Sequence, residues 1–252
     1  MATSLIFPLV KACFRRGRGW LPLLAATGLL MAGSAPAAEL PAYIATALAH
    51  FSAAVPAGWA YSVRVTRGGE TSVESFDPGR PAGQQWTLVE RNGRPPTPEE
   101  TDRYQRYRET NNTAAAARAS FERGDLDYAS AQIVHDDATR ATMRCRFRSD
   151  AAEPMLTHLE LFLQVTKEPA AVETTTLRLA SPYSPVIGMR MLALDMETTF
   201  SRPTADRPSL PASAISRFHG RILWLWSIDE DSRVVYSDFR RVTPTPAPPA
   251  TG

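Results

Sequence analysis

The stretch Trp59-Ala60-Tyr61-Ser62-Val63-Arg64-Val65-Thr66-Arg67-Gly68-Gly69 reads as a β-strand that runs into a tight turn. Trp59, Tyr61, Val63 and Val65 recur at every second residue, with Ser62, Arg64 and Thr66 between them. That period places one set on each face of a pleated strand. Gly68-Gly69 supplies the positive φ that a hairpin turn demands, so Thr71 to Phe76 is the expected return strand.

Working toward the N-terminus, the period changes. Leu40, Tyr43, Ile44, Ala47, Leu48, Phe51 and Val55 fall at helical spacing, which predicts an amphipathic helix over Pro41 to Ala54, stopped by Pro56 and Gly58. Before it, Lys11, Arg15, Arg16 and Arg18 precede an apolar run from Trp20 to Met31 and a small-residue site at Ala35-Pro36-Ala37-Ala38. A charged start, a short apolar middle and an A-x-A-like end have the form of a secretory signal peptide cleaved near Ala37 or Ala38. The run is shorter than the roughly 20 residues a membrane span needs, and Pro22 and Gly28 interrupt it. The expected division is residues 1–38 as signal peptide, 39–242 as one β domain, and 243–252 as a proline-rich extended tail. The expected location is the periplasm.

Removing the leader takes away four of the basic residues, so a chain of formal charge +2 leaves a remainder near −2. No Lys/Arg-rich run remains of the kind that phosphate backbones require, which argues against nucleic-acid binding. The remainder keeps one cysteine, Cys145, and so no internal disulfide.

Working toward the C-terminus, Trp86 and Leu88 open a third strand that ends at Asn92-Gly93. Thr97-Pro98-Glu99-Glu100 then sets a threonine at the N-cap, a proline at the first helical position and a glutamate two places later. This is a capping box, and it predicts a second helix near 98–110. From Tyr128 on, strands follow one another. Met143, Cys145 and Phe147 alternate with Arg144, Arg146 and Arg148; Leu159, Leu161, Leu163 and Val165 follow, then Val172 to Leu179, then a run from Val186 to Phe200. A final pair, Phe218 to Ile228 and Arg233 to Val242, is expected to turn at Asp229-Glu230-Asp231. About ten strands with short connections favour an antiparallel meander.

The chemistry-bearing residues are sparse. His50, His135, His158 and His219 have no paired spacing, and no H-E-x-x-H, C-x-x-C, G-x-S-x-G or phosphate-loop pattern is present. No catalytic residue, metal or cofactor is therefore assigned, and the chain is not expected to be an enzyme. His135, beside Asp136 and Asp137, reads as a solvated turn residue. The Arg144, Arg146 and Arg148 stripe reads as a solvent-facing strand surface. Met189 and Met191 share a face, and Ile222, Trp224, Trp226 and Ile228 share another, opposite Leu223 and Leu225.

The export signal, the N-terminal helix, the tryptophan- and tyrosine-led first strand and the segment Arg80-Pro81-Ala82-Gly83-Gln84-Gln85-Trp86 together resemble the LolA/LolB-like outer-membrane lipoprotein carriers. The resemblance implies an incomplete, half-open β-barrel, α+β and mostly antiparallel, with helices covering or plugging an apolar interior. It implies a periplasmic carrier that shelters an acyl-chain ligand, with Arg80 matching an arginine that helps hold it. Arg80, Trp86, Met189, Met191, Trp224 and Trp226 are the candidate ligand-binding residues, and the implied partners are lipid or lipoprotein acyl chains. The alternative is a cell-envelope protein-interaction module that uses a sheet face and binds no small ligand. Departures from the carrier pattern lie in Gln85 to Gly93, in the capped helix and in the tail.

Overall fold

A computed structural model describes residues 40–115, 121, 123–151, 154–223 and 225–242, and the side chains of these except 110–115. The expected signal segment, the proline-rich tail and Trp224 lie outside the described residues.

Eleven strands form a single antiparallel sheet. They are β1 (Trp59–Arg67), β2 (Glu70–Phe76), β3 (Trp86–Arg91), β4 (Leu126–Asp136), β5 (Arg140–Phe147), β6 (Leu159–Lys167), β7 (Ala170–Leu179), β8 (Tyr183–Val186), β9 (Met189–Phe200), β10 (Pro211–Ile222) and β11 (Trp226–Arg241). Their spatial order is β3-β2-β1-β11-β10-β9-β7-β6-β5-β4, with β8 beside β9. Two meanders are thus joined where β1 pairs with β11, from Trp59 opposite Arg241 to Arg67 opposite Ser232. The sheet does not close into a barrel, because β3 and β4 are its two edges.

Among the described residues, two α-helices accompany the sheet: α1 (Ala42–Ala49) and α2 (Pro98–Ala115). Cross-strand partners lie on one face of a sheet. Following them from Leu163 through Thr175, Thr198, Ala214, Val234 and Val65 shows that one face runs continuously from β6 to β1. Both helices lie on that face. On it, Leu159, Leu161, Leu163 and Val165 are buried with Met143, Cys145, Phe147 and Leu177, and α1 adds Ile44, Ala47 and Leu48. The arginines that alternate with Met143 and Cys145 take the opposite, polar face.

Four readings of the sequence change in the folded chain. The first helix stops at Ala49, where the Phe51 N–H closes a tight last turn on the Leu48 carbonyl. Phe51 then turns its ring edge-on to Phe200, 5.1 Å away, and leaves the helical stripe. The second helix runs further than expected, to Ala115. The run from Val186 to Phe200 is broken by a turn at Ile187-Gly188 that separates β8 from β9. The final hairpin also turns earlier than expected, at residues 223–225, so Asp229, Glu230 and Asp231 lie inside β11. Asp229 faces His219 and Asp231 faces Arg217, and these cross-strand pairings accommodate the acidic triplet in a strand. The apolar alternation across Ile222 to Ile228 is therefore that of a turn, with no strand buried on both faces.

Two outcomes test this core. Leu163 is wholly buried, so Leu163→Ala is expected to cost about 2–5 kcal/mol in urea unfolding, the range for a leucine cavity. Burial also pushes the Cys145 thiol up to about 12, so in the native state at pH 8 it should resist maleimide labelling and react only after unfolding.

Candidate functional site

The α2 sequence, PEETDRYQRYRETNNTAA, contains no leucine, isoleucine, valine or phenylalanine. It has no aliphatic stripe with which to bind a sheet, so polar and aromatic contacts hold it. Its start is fixed by the capping box: the Thr97 N–H donates to Glu100 Oε2 at 2.8 Å, and the Glu100 N–H donates to Thr97 Oγ1 at 3.3 Å. Arg94 adds two 2.9 Å bonds to the Glu100 carboxylate. One and two turns on, Tyr104 and Arg108 point down onto β2. The Tyr104 hydroxyl donates to Glu74 Oε2 at 2.9 Å, and Arg108 pairs with the same oxygen. Arg108 Nε also donates to the Tyr104 hydroxyl at 3.0 Å.

Glu74 and Arg108 are both buried. Burial, then the Glu74 charge, pushes the Tyr104 hydroxyl well above its ordinary range, so it stays a proton donor. Burial opposes the charge on Arg108, but Glu74 and Tyr104 beside it more than compensate. The guanidinium carbon also lies 4.2 Å from the centre of the Trp86 ring, a cation–π contact.

Trp86 belongs to a continuous aromatic group on the helix-covered face. It meets Phe76 at 5.1 Å and Tyr61 at 5.7 Å; Tyr61 in turn stacks on Phe239 at 5.7 Å and lies 6.0 Å from Tyr236. These rings are half-buried. A second cation, Arg207 from the β9–β10 connection, sits 5.0 Å over Phe239, and its Nε is buried with no hydrogen-bond partner among the described residues. Between α1, which packs on β6 and β7, and α2, which packs on β3, lies the middle of the sheet. Its row of cross-strand partners, Val65, Val234, Ala214 and Thr198, is short-chained and half-buried. The middle of this face thus presents small side chains, with aromatic rings toward β3 and arginines over the rings.

The structure divides the candidate ligand residues into two groups. Trp86 is inside the aromatic group, and Arg80 lies next to it on the β2–β3 loop, where it is exposed and donates to Thr87 Oγ1 at 2.7 Å. Met191 is buried and Met189 half-buried at the other end of the sheet, where Trp226 is exposed. Trp226 and Phe239 are thirteen residues apart on β11, about 40 Å in an extended strand. Sequence reading missed Glu74, Arg108, Arg207 and Phe239. The only signal available was helical: Tyr104 and Arg108 are four apart and share a face of a helix that has no aliphatic stripe.

The opposite face carries a cleft of about 990 Å³. A row of alternating charges runs through it, Arg178, Asp195, Arg217 and Asp231, one residue from each of four neighbouring strands. Arg178 Nε reaches Asp195 Oδ2 at 3.1 Å, and His219 Nδ1 lies 2.5 Å from Asp229 Oδ1. This is a solvated groove with internally matched charge. His135 is exposed beside Asp137 at 3.1 Å. Among the described residues, no group of three or more His, Cys, Asp and Glu side chains could hold a metal.

No protein-family model matches the chain, and no curated protein matches it. A solved structure, that of a LolA superfamily protein from Nitrosomonas europaea, is similar to it at 13% identity and a TM-score of 0.36, covering 81% of this chain and 93% of that one. The likeness is distant. The open, mostly antiparallel sheet with two helices on one face is established by the chain's own strand pairing.

The clamp on α2 has a measurable signature. Arg108→Met should cost about 3–5 kcal/mol in urea unfolding, because it leaves the Glu74 carboxylate buried without its partner. The double variant Glu74→Leu/Arg108→Met should recover most of that loss, since neither charge then remains.

Proposed function

We propose that the protein is an exported carrier or binding protein of the periplasm that shelters an apolar or acyl-chain ligand on the sheet face between α1 and α2. The observation that supports this reading is the small-side-chain, half-buried middle of the sheet face, on which neither helix packs among the described residues. Its row of Val65, Val234, Ala214 and Thr198 offers an apolar chain width without bulk. The aromatic group supplies area at one end, and mostly apolar linings with a few fixed polar groups are typical of ligand sites. Trp86 would line the site directly and Arg80 would stand at its rim. The His135–Asp137 and His219–Asp229 pairs are open to solvent, which supports a binding role over a catalytic one. The basic, apolar and small-residue run ahead of residue 39 supports export.

The test is native mass spectrometry with lipid extraction on protein purified gently from the cell envelope. A near-stoichiometric acyl-chain molecule is expected, and Ala214→Trp should displace it while circular dichroism stays unchanged. A clean ligand-free mass, together with no uptake of a fluorescent fatty acid, would overturn the carrier reading in favour of an envelope interaction module.

A further inference from the structure

The four most exposed large apolar side chains of the described residues are Ile187 at 105%, Leu225 at 79%, Trp226 at 61% and Leu223 at 53%. They lie 36 or more positions apart in sequence at the extremes, yet they occupy two adjoining turns. The Ile187-Gly188 turn joins β8 to β9, and residues 223–225 join β10 to β11. The Leu223 N–H donates to the Gly188 carbonyl at 2.6 Å, which ties one turn to the other. Leu223 holds a left-handed backbone, φ 47°, that a branched residue rarely adopts. The strand pairing thus carries four apolar side chains to one end of the sheet and leaves them in water.

Charge at the base of this tip is one-sided. Arg190 and Arg221 are direct cross-strand partners on β9 and β10, and both are exposed. Like charges placed opposite each other repel. Neither has an ion pair among the described residues, whereas most arginines on the polar face do. The segments 180–194 and 214–228 contain no aspartate or glutamate; Arg217 stands between Asp195 and Asp231, and Asp229 lies against His219, which leaves Arg190 and Arg221 as the unmatched charge at this end. Gly220, next to Arg221, allows the strands this close approach: a Cβ there would lie 2.9 Å from the Arg190 carbonyl oxygen.

We propose that this tip docks on an anionic lipid bilayer, with Ile187, Leu223, Leu225 and Trp226 entering the interface and the Arg190–Arg221 pair binding lipid phosphates. Exposed tryptophan and leucine on two adjoining turns suit the headgroup boundary, where an aromatic ring sits with one edge in water. Two arginines at its base suit the negative potential of acidic lipids and resolve the repulsion between them. A protein groove would have to match two separate turns and still supply two anions. A bilayer supplies both by its composition. The docking does not depend on any ligand held along the middle of the sheet.

The experiment uses the full chain in a Cys13→Ser background, since Cys145 is buried and stays unlabelled. A bimane dye is attached at Leu225→Cys or, as control, at Val89→Cys, an exposed site on the β3 edge. Vesicles of phosphatidylethanolamine and phosphatidylglycerol carry a doxyl quencher in their acyl chains. Strong quenching is expected at position 225 and little at 89, so attachment by another part of the chain cannot imitate the result. Arg190→Gln/Arg221→Gln should weaken binding at least tenfold, because each basic residue near an acidic surface contributes roughly a factor of five. Equal quenching at the two sites, or affinity unchanged in the arginine variant or on phosphatidylcholine, would overturn the proposal. So would disulfide cross-linking of two copies through Leu225→Cys without any quenching, which would make the tip a protein contact.

Discussion

The ladder between β1 and β11 holds this molecule together as one unit. It pairs residues from opposite ends of the described chain, and without it the three strands β1, β2 and β3 would form an isolated meander with α2 as its only cover. A three-stranded sheet is near the lower limit of independent stability. Joined to β11, it becomes the continuation of a face already buried against α1 on β6 and β7. The β1–β11 ladder also contains an irregularity between Ala60 and Ser62, where Asp238 takes a left-handed conformation. That bulge re-aims Phe239 onto Tyr61 and so completes the aromatic group.

Burial on one face then explains both helices, although they are held by different forces. α1 is short and apolar, and it contributes Ile44, Ala47 and Leu48 to the core in the ordinary way. α2 is long and polar, and it is anchored by a buried carboxylate on the sheet. A buried ion pair of this kind gains little over an apolar pair in net stability, but breaking it leaves an uncompensated charge. Its consequence here is positional. Glu74 accepts from Tyr104 and Arg108 together, which fixes the rotation of α2 and sets Arg108 over Trp86. Among the described residues, the rings beneath are thereby capped by cations without being covered by aliphatic packing.

The two ends of the sheet have different characters for the same topological reason. Near Phe200, Pro211 and Phe239, the long β9–β10 connection folds back, with Leu210 fully buried and Arg207 over Phe239. Near Met189, Ile222 and Trp226, the connections are tight turns too short to fold back over their own apolar residues. Loop length decides which end is sealed and which presents its side chains to water.

Much of this could be read along the chain, because the governing pattern is local. Period-two alternation exposed most of the strands, from Trp59–Val65 to Leu159–Val165, and the Thr97–Glu100 box marked the start of α2 through contacts three residues apart. Beyond residue 39 the sequence holds one cysteine, Cys145, so that part of the chain can form no internal disulfide. What only the tertiary structure decided are the interactions between distant residues. Asp229 to Asp231 look like a turn until Arg217 and His219 are set opposite them, and Ile222 to Ile228 look like a two-faced buried strand until the chain reverses at 223–225. Likewise Glu74 is an ordinary strand residue until Arg108 closes over it, 34 positions later. Alternation states that two faces exist, while cross-strand partnership, which depends on register and chain reversal, determines which groups meet on them.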